Sequence, residues 1–416
     1  MTDRFRGGLH GDPAAADRLM AQLAHQLGPG GLSRRSLLRS AGVAGMALTS
    51  SGLLAACGTE GARVGAGECT STDLSDEEKT IVFSNWIGYV DPVKRADTST
   101  LEKFQEETGI TVTYQNGDVN DNETFFAKVS PQLQSCKETG RDVFVVTDYM
   151  AARMIELGWI QKLDHSNLPN VDANLIDFLK SPDWDPEREY SVPWQSGMTG
   201  ICYNSELTDP VSSFEELLTR PDLKGKVELL SEMRDTMLFL LLMEGSDPED
   251  FTSDEFTAAI DRLQGIVDGG QVRRFAGNDY VDDMKSGDIV ACEAWSGDVI
   301  NLLGGGKYKY VQPEEGFAIW TDNMLVPNKA EHKTNVETMM NFYYDPVNAA
   351  KLSAWNYYFC PVAGAQEEIA QFDPSAAKSE FIFVDDATLE TGYMFKSLSD
   401  SEEREYQRQF NEVMGG

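Results

Sequence analysis

The chain has 416 residues, 25% of them charged, with 35 Lys and Arg against 68 Asp and Glu for a net charge of −33. Such an acidic balance excludes nucleic acid as a partner, because phosphate binding needs a basic footprint; it is compatible with cationic ligands, whose approach the field favours, and otherwise serves solubility. The length allows a large core and more than one lobe.

In chain order, Ser33-Arg34-Arg35-Ser36-Leu37-Leu38 comes first, ahead of the apolar run Ala41–Ala56, which stops at Leu54-Ala55-Ala56-Cys57. An arginine pair, a short apolar stretch and small residues before a cysteine read as a twin-arginine export signal with a lipobox, over residues 1–56. The 16-residue run is short for a spanning helix, which needs roughly 20 residues. The expectation is a chain exported already folded, with Cys57 lipidated and everything after it extracytoplasmic, held to the cell membrane through acyl chains. Residues 57–78, rich at first in Gly, Ala, Ser and Thr, read as a flexible tether. Residues 1–56 carry six Arg and three Asp, so residues 57–416 hold 29 basic against 65 acidic side chains, a net of −36. Beyond Cys57 stand Cys69, Cys136, Cys202, Cys292 and Cys360. They are widely spaced without histidine partners, which argues against zinc. Disulfides are permitted outside the cytoplasm, an odd number leaves at least one thiol unpaired, and the spacing leaves the pairing open.

Strand and helix patterns then alternate. Lys79–Trp86 reads as strand, Thr98–Thr108 as helix stopped by Gly109, Ile110–Tyr114 as strand, Asn122–Leu133 as helix, Asp142–Thr147 as buried strand and Tyr149–Leu157 as helix. This βαβαβα order predicts an α/β lobe with a mainly parallel sheet. Tyr190–Trp194 and Thr199–Asn204 are two strand candidates joined through Gly197. Phe214–Thr219 (helix), Lys226–Leu230 (strand), Asp235–Glu244 (helix) and the amphipathic Ser253–Asp268 follow. Ile289–Trp295 and Phe317–Trp320 are strands, and Asn335–Tyr344 and Val347–Trp355 are helices. Two α/β lobes in an exported, lipid-anchored chain point to a bilobed solute-binding protein, with its ligand between the lobes at the C-terminal ends of strands.

Aromatic and acidic residues recur at those ends: Trp86 and Tyr89, Tyr149, Trp194, Glu232 and Asp235, Trp295, Trp320 and Asp322, Tyr357 and Tyr358. The set suits an alkyl polyamine. Its methylenes can lie on aromatic faces, its ammonium groups gain cation–π attraction of about 0.5–2 kcal/mol each, and carboxylates take charge-assisted hydrogen bonds of about 1.5–3 kcal/mol. Catalysis finds little support: residues 57–416 hold only His165 and His332, and no GxSxG, P-loop or HExxH motif occurs. No cofactor or metal is called for.

From about Ile81 to Val362 the chain resembles the spermidine/putrescine-binding proteins of ABC importers. The resemblance lies in Ser84-Asn85-Trp86-Ile87-Gly88-Tyr89, Glu107-Thr108-Gly109-Ile110, Asn122-Glu123, Tyr190-Ser191-Val192-Pro193-Trp194, Leu223-Lys224-Gly225-Lys226-Val227, Glu293-Ala294-Trp295-Ser296-Gly297-Asp298, Pro313-Glu314-Glu315-Gly316 and Trp320-Thr321-Asp322, in this order. It implies the two-lobe periplasmic-binding-protein type II fold, with lobe 1 at 79–195 plus 325–372 and lobe 2 at 196–324 plus 373–416. It also implies roles. Trp86 and Tyr89 line the cleft, with Tyr149 a site tyrosine. Glu232 and Asp235, flanking Arg234, hold amines. Trp295 is an aromatic wall, Asp322 of the Trp320–Asp322 motif pairs an ammonium, and Tyr358 precedes a proline turn ending at Pro361. The implied mechanism is capture without chemistry: the lobes close about Pro193–Gly200 and Asp322–Pro327, and the loaded protein docks on a membrane permease.

The chain departs from the family's pattern in three places. The acidic pair has its lengths exchanged, Glu232 then Asp235. Thr147-Asp148 replaces a Pro-Ser-type turn, with Asp148 either adding a charge or pointing away. The proline turn reads Phe359-Cys360-Pro361. Other readings stay open at this point: the same fold for ferric iron (suggested by Tyr357-Tyr358), a sugar or another cationic solute, or a lipid-anchored extracytoplasmic enzyme.

Overall fold

In the computed structural model the described residues are 69, 71–92, 99–301, 303, 304, 306–389 and 391–415. The first half runs β1 (Thr80–Asn85), α1 (Thr100–Thr108), β2 (Thr111–Asn116), α2 (Asn122–Gln134), β3 (Val143–Thr147), α3 (Asp148–Glu156) and the short α4 (Pro169–Asn174). Short polar residues start the helices by taking otherwise orphaned amides. Ser99 and Glu102 form a capping box on α1, which ends at Gly109 with φ 71°, a left-handed conformation that glycine adopts without steric cost. Asp121 caps α2 through the Thr124 amide. β1 pairs in parallel with both β2 and β3, as expected where helices connect successive strands.

The chain continues through β4 (Ser191–Asn204), α5 (Phe214–Thr219), β5 (Val227–Leu230), α6 (Met233–Glu244), α7 (Ser253–Asp268), β6 (Val272–Ala276), α8 (Tyr280–Ser286), β7 (Ala291–Trp295), α9 (Ser296–Asn301), β8 (Tyr308–Val311) and β9 (Ala318–Leu325). It closes with α10 (Lys333–Tyr343), α11 (Pro346–Asn356), α12 (Ala365–Phe372), α13 (Asp386–Leu389) and α14 (Asp400–Met414). β5 is parallel to β6 and β7. Between the two parallel groups lie β4 and β9, antiparallel to each other and to their outer neighbours β7 and β3. The strand order is β2-β1-β3-β9-β4-β7-β5-β6, with β8 also on β4. The two long central strands therefore carry the backbone from one half to the other. Two cores result: one around Phe83, Phe104, Phe144 and Trp194 that also takes in Tyr280, Cys292 and Trp295 of the second half, and one around Phe214, Phe239, Phe256, Tyr406 and Phe410.

Several expectations need correction. Tyr190–Trp194 and Thr199–Asn204 are one strand, β4, because Gln195–Met198 stay extended and pair with β9. Phe317–Trp320 extends to Leu325 for the same reason. The tether expected at 57–78 is pinned wherever it is described. Cys69 is disulfide-bonded to Cys136, the Leu74 amide donates to the Glu331 carbonyl at 2.6 Å, and Asp73 caps α10 through Thr334. Ala376, Ala377 and Ile382 pack into the same core as Phe83 and Phe144. Of the cysteines, Cys202, Cys292 and Cys360 are buried thiols. The expected export signal and the expected lipidation of Cys57 lie outside the described residues. No helix among the described residues is long and apolar enough to cross a membrane.

Candidate functional site

The parallel strands all deliver their C-terminal ends to one region. β1 ends at Asn85 and leads into Trp86 and Tyr89. β3 runs directly into α3, placing Asp148 and Tyr149 in its first turn. β5 leads to Glu232, at the N-cap of α6, and to Arg234 and Asp235 in its first turn. β7 ends on Trp295 and enters α9, which carries Asp298. β9 crosses alongside with Trp320 and Asp322. An open α/β sheet forms its crevice at such strand ends. Here all nine residues expected there line one crevice: Trp86, Tyr89, Tyr149, Glu232, Asp235, Trp295, Trp320, Asp322 and Tyr358. Asn122, Thr147, Asp148, Arg234, Asn278 and Phe395 line it as well. Trp194 instead packs in the first core.

The aromatic rings meet edge to face. Trp86 and Trp295 have centroids 5.7 Å apart, Tyr89 and Tyr358 4.9 Å, and Trp320 and Tyr358 5.7 Å in a tilted pair. Two glycines make room for this packing. A Cβ on Gly197 would lie 2.4 Å from the Trp320 ring, and one on Gly297 2.5 Å from the Tyr358 ring.

Each carboxylate has a different set of partners. Asp322 is 3% exposed and accepts from the Tyr89 and Thr147 hydroxyls, both at 2.8 Å. Burial pushes it up to about 7; the two hydroxyls oppose this, while Asp148 and Asp235 reinforce it. Asp235 accepts from the Thr199 hydroxyl, which in turn accepts from the Trp320 indole at 2.9 Å. Burial raises Asp235 to about 6. Glu232 accepts from the Asn122 amide (2.7 Å), the Asn122 side chain (3.0 Å) and the Tyr149 hydroxyl (2.8 Å). These donors belong to the first half and Glu232 to the second, so this carboxylate clasps the two halves together. Burial, and the nearby charge of Asp121, push it well above the usual range. Asp298 accepts from Asn278, Tyr280 and Tyr358 at 2.8–2.9 Å and so fixes the Tyr358 ring.

Asp148 faces the cavity and takes the Tyr149 amide at 2.8 Å; among the described residues no side chain donates to it. Burial raises it to about 6. Arg234, the one cation of the lining among the described residues, makes a two-pronged pair with Glu403 and stacks over Tyr149 at 3.6 Å, so its charge is already matched. Tyr357 is absent from the lining, so the tyrosine pair does not converge there. Among the described residues no group of three or more His, Cys, Asp or Glu could hold a metal ion.

Sequence reasoning missed Asn122, Thr147 and Asp298 as functional residues, although Asn122 and Asp298 lie inside segments that carried the resemblance. Their signal was spacing only; their hydrogen bonds link distant parts of the chain. No local pattern pointed to Phe395.

Comparison with known proteins agrees with this architecture. The spermidine/putrescine-binding periplasmic protein of Escherichia coli (strain K12) is 28% identical over 321 residues, covering 76% of this chain and 87% of that protein. The putrescine-binding periplasmic protein PotF of the same strain is 28% identical over 307 residues, 68% of this chain and 78% of its own. A solved chain from Listeria monocytogenes, assigned as a spermidine/putrescine ABC transporter, superposes with a TM-score of 0.70 at 27% identity, covering 81% of this chain and 99% of that one. The pattern of the bacterial extracellular solute-binding protein family matches residues 99–379. With more than half its length matched, and its strand ends gathered on one crevice, the chain belongs to the bacterial extracellular solute-binding proteins.

Proposed function

We propose that the protein captures polyamines of the putrescine/spermidine class outside the cytoplasm and delivers them to the permease of an ABC importer. The observation that carries this reading is the pairing of an aromatic crevice with carboxylates that make no ion pair among the described residues, Asp148, Asp235 and Asp322, beside an arginine already matched by Glu403. An alkyl chain with ammonium groups meets both needs at once. The names of the Escherichia coli relatives point to the same ligands. The halves close about β4 and β9, with Glu232 as the clasp, and burial of the ligand between them presents one closed shape to the permease. Lipid on Cys57 holds the protein at the cell membrane near that permease.

Native mass spectrometry of the purified protein, followed by calorimetric titration with putrescine and spermidine, tests the proposal. A retained or titratable polyamine is expected. A retained sugar or metal, with no heat from either amine, sinks it.

A further inference from the structure

Asp148 is the one cavity carboxylate with no side-chain donor among the described residues. Glu232 is committed to Asn122 and Tyr149, Asp322 is held by two hydroxyls, and Asp235 by the Thr199 hydroxyl and the Trp295 indole. A carboxylate has about four acceptor positions, and Asp148 spends them on backbone amides only, those of Tyr149 and Thr321. It stands at the first position of α3, in the first half, while Asp235 stands in the first turn of α6, in the second. Asp322 adjoins Asp148 through the pairing of Thr147 with Asp322 between β3 and β9. The three acids thus lie on separate elements around one cavity, and they are not gathered tightly enough to hold one metal ion.

We propose that Asp148 is a specificity-determining ligand residue, so that the crevice takes a linear triamine, one ammonium each for Asp148, Asp235 and Asp322, in preference to a diamine. The proposal rests on the polyamine reading above. Its argument is charge matching. Arg234 is matched by Glu403, and Glu232 is enclosed by three donors and pushed far toward its neutral form. Three carboxylates remain to be matched. A diamine leaves one of them buried without a counter-charge, which is costly in a low-dielectric crevice.

Calorimetric titration of putrescine and spermidine into the wild type and into the Asp148→Asn and Asp148→Thr variants tests this. Wild type is expected to bind spermidine about 10-fold or more tightly than putrescine, as one further charge-assisted contact requires. Both variants are expected to lose about 10-fold for spermidine and less than about 3-fold for putrescine; a melting temperature of each ligand-free variant no lower than that of the wild type reports an intact fold. Equal losses for both amines, or no loss for either, overturn the role of Asp148 and leave the polyamine reading standing. Wild-type protein that binds neither amine overturns that reading and this proposal with it.

Discussion

At the scale of single residues, the crevice is set by which donors reach which carboxylate. Asp322 illustrates this. Two hydroxyls orient it at 2.8 Å, yet neither carries charge, so the carboxylate keeps its demand for a cation. Replacing it by Asn preserves size and most hydrogen-bonding capacity but removes that demand. Asp322→Asn is expected to weaken spermidine binding about 10- to 150-fold, the value of a charge-assisted contact of about 1.5–3 kcal/mol. The thermal stability of the ligand-free protein should hold or rise, because a buried unmatched charge is removed. Calorimetry together with a thermal melt reads both; affinity within 3-fold of the wild type rules out Asp322 as a ligand residue. The residue types of the crevice were legible in the sequence because aromatics and acids cluster where strand patterns stop. Their partners were not. Tyr89 and Asp322 are 233 positions apart, Thr147 and Asp322 175, and Asn122 and Glu232 110. Pattern reading is local, and these bonds exist only once the sheet is assembled. Asp148 shows the same limit: the sequence left open whether it faced the ligand or solvent, and the start of α3 directly at the end of β3 decides it.

At the scale of elements, β4 governs both the sheet and the crevice. All 14 of its residues are buried. It borders β9 along its first part and β7 and β8 along its second. Gly197 interrupts the apolar pattern, which is why the sequence suggested two strands; the interruption exists because the Trp320 ring fills the space a Cβ would need. Gly200 is excluded from growing for a different reason, since its Cβ would lie 2.5 Å from the Val311 carbonyl oxygen. A ring at the cavity edge can yield more easily than the backbone of a paired strand. Gly200→Ala is therefore expected to cost about 1–3 kcal/mol of stability, in the range of overpacked cores. Gly197→Ala should cost less stability but reduce polyamine affinity about 10-fold, by displacing Trp320 from its place against Tyr358 and from its bond to Thr199. Urea unfolding and titration of both variants separate the two effects. Wild-type binding by Gly197→Ala, or wild-type stability of Gly200→Ala, contradicts the assignment. The C-terminal helix α14 is a case where a local signal was present and unused: Ser399 and Glu402 form a capping box, a pattern readable from the sequence alone.

At the scale of the whole molecule, the buried acids link pH to stability and to binding in opposite directions. Burial raises Asp148 and Asp235 to about 6 and Asp322 to about 7, against about 3.9 for an aspartate in an unfolded chain. Between these limits the folded protein binds more protons than the unfolded chain, so stability falls as pH rises. The contribution is fully present below about pH 4 and is lost as pH passes through 6 to 7. His332, where the bonds its ring makes to Asp142 and Glu78 outweigh burial, is also raised; its contribution is present at low pH and is lost as pH rises, in the same direction. The net charge of −33 adds self-repulsion once the acids ionise. A cationic ligand reverses this balance, because it pairs with the ionised carboxylates and releases the protons they held. The ligand-free protein should therefore melt at a lower temperature at pH 8 than at pH 5.5, while the rise in melting temperature at saturating spermidine should be larger at pH 8, since tighter binding at fixed ligand gives greater stabilisation. Binding near pH 6.5 should also release protons, so that its apparent enthalpy changes with the ionisation heat of the buffer. Scanning calorimetry at both pH values, with titrations in phosphate and in Tris, measures all three quantities. A ligand-induced shift that is equal or larger at pH 5.5, with no dependence on buffer, would mean that the crevice acids are already ionised before the ligand arrives, and that burial does not set the charge of this site.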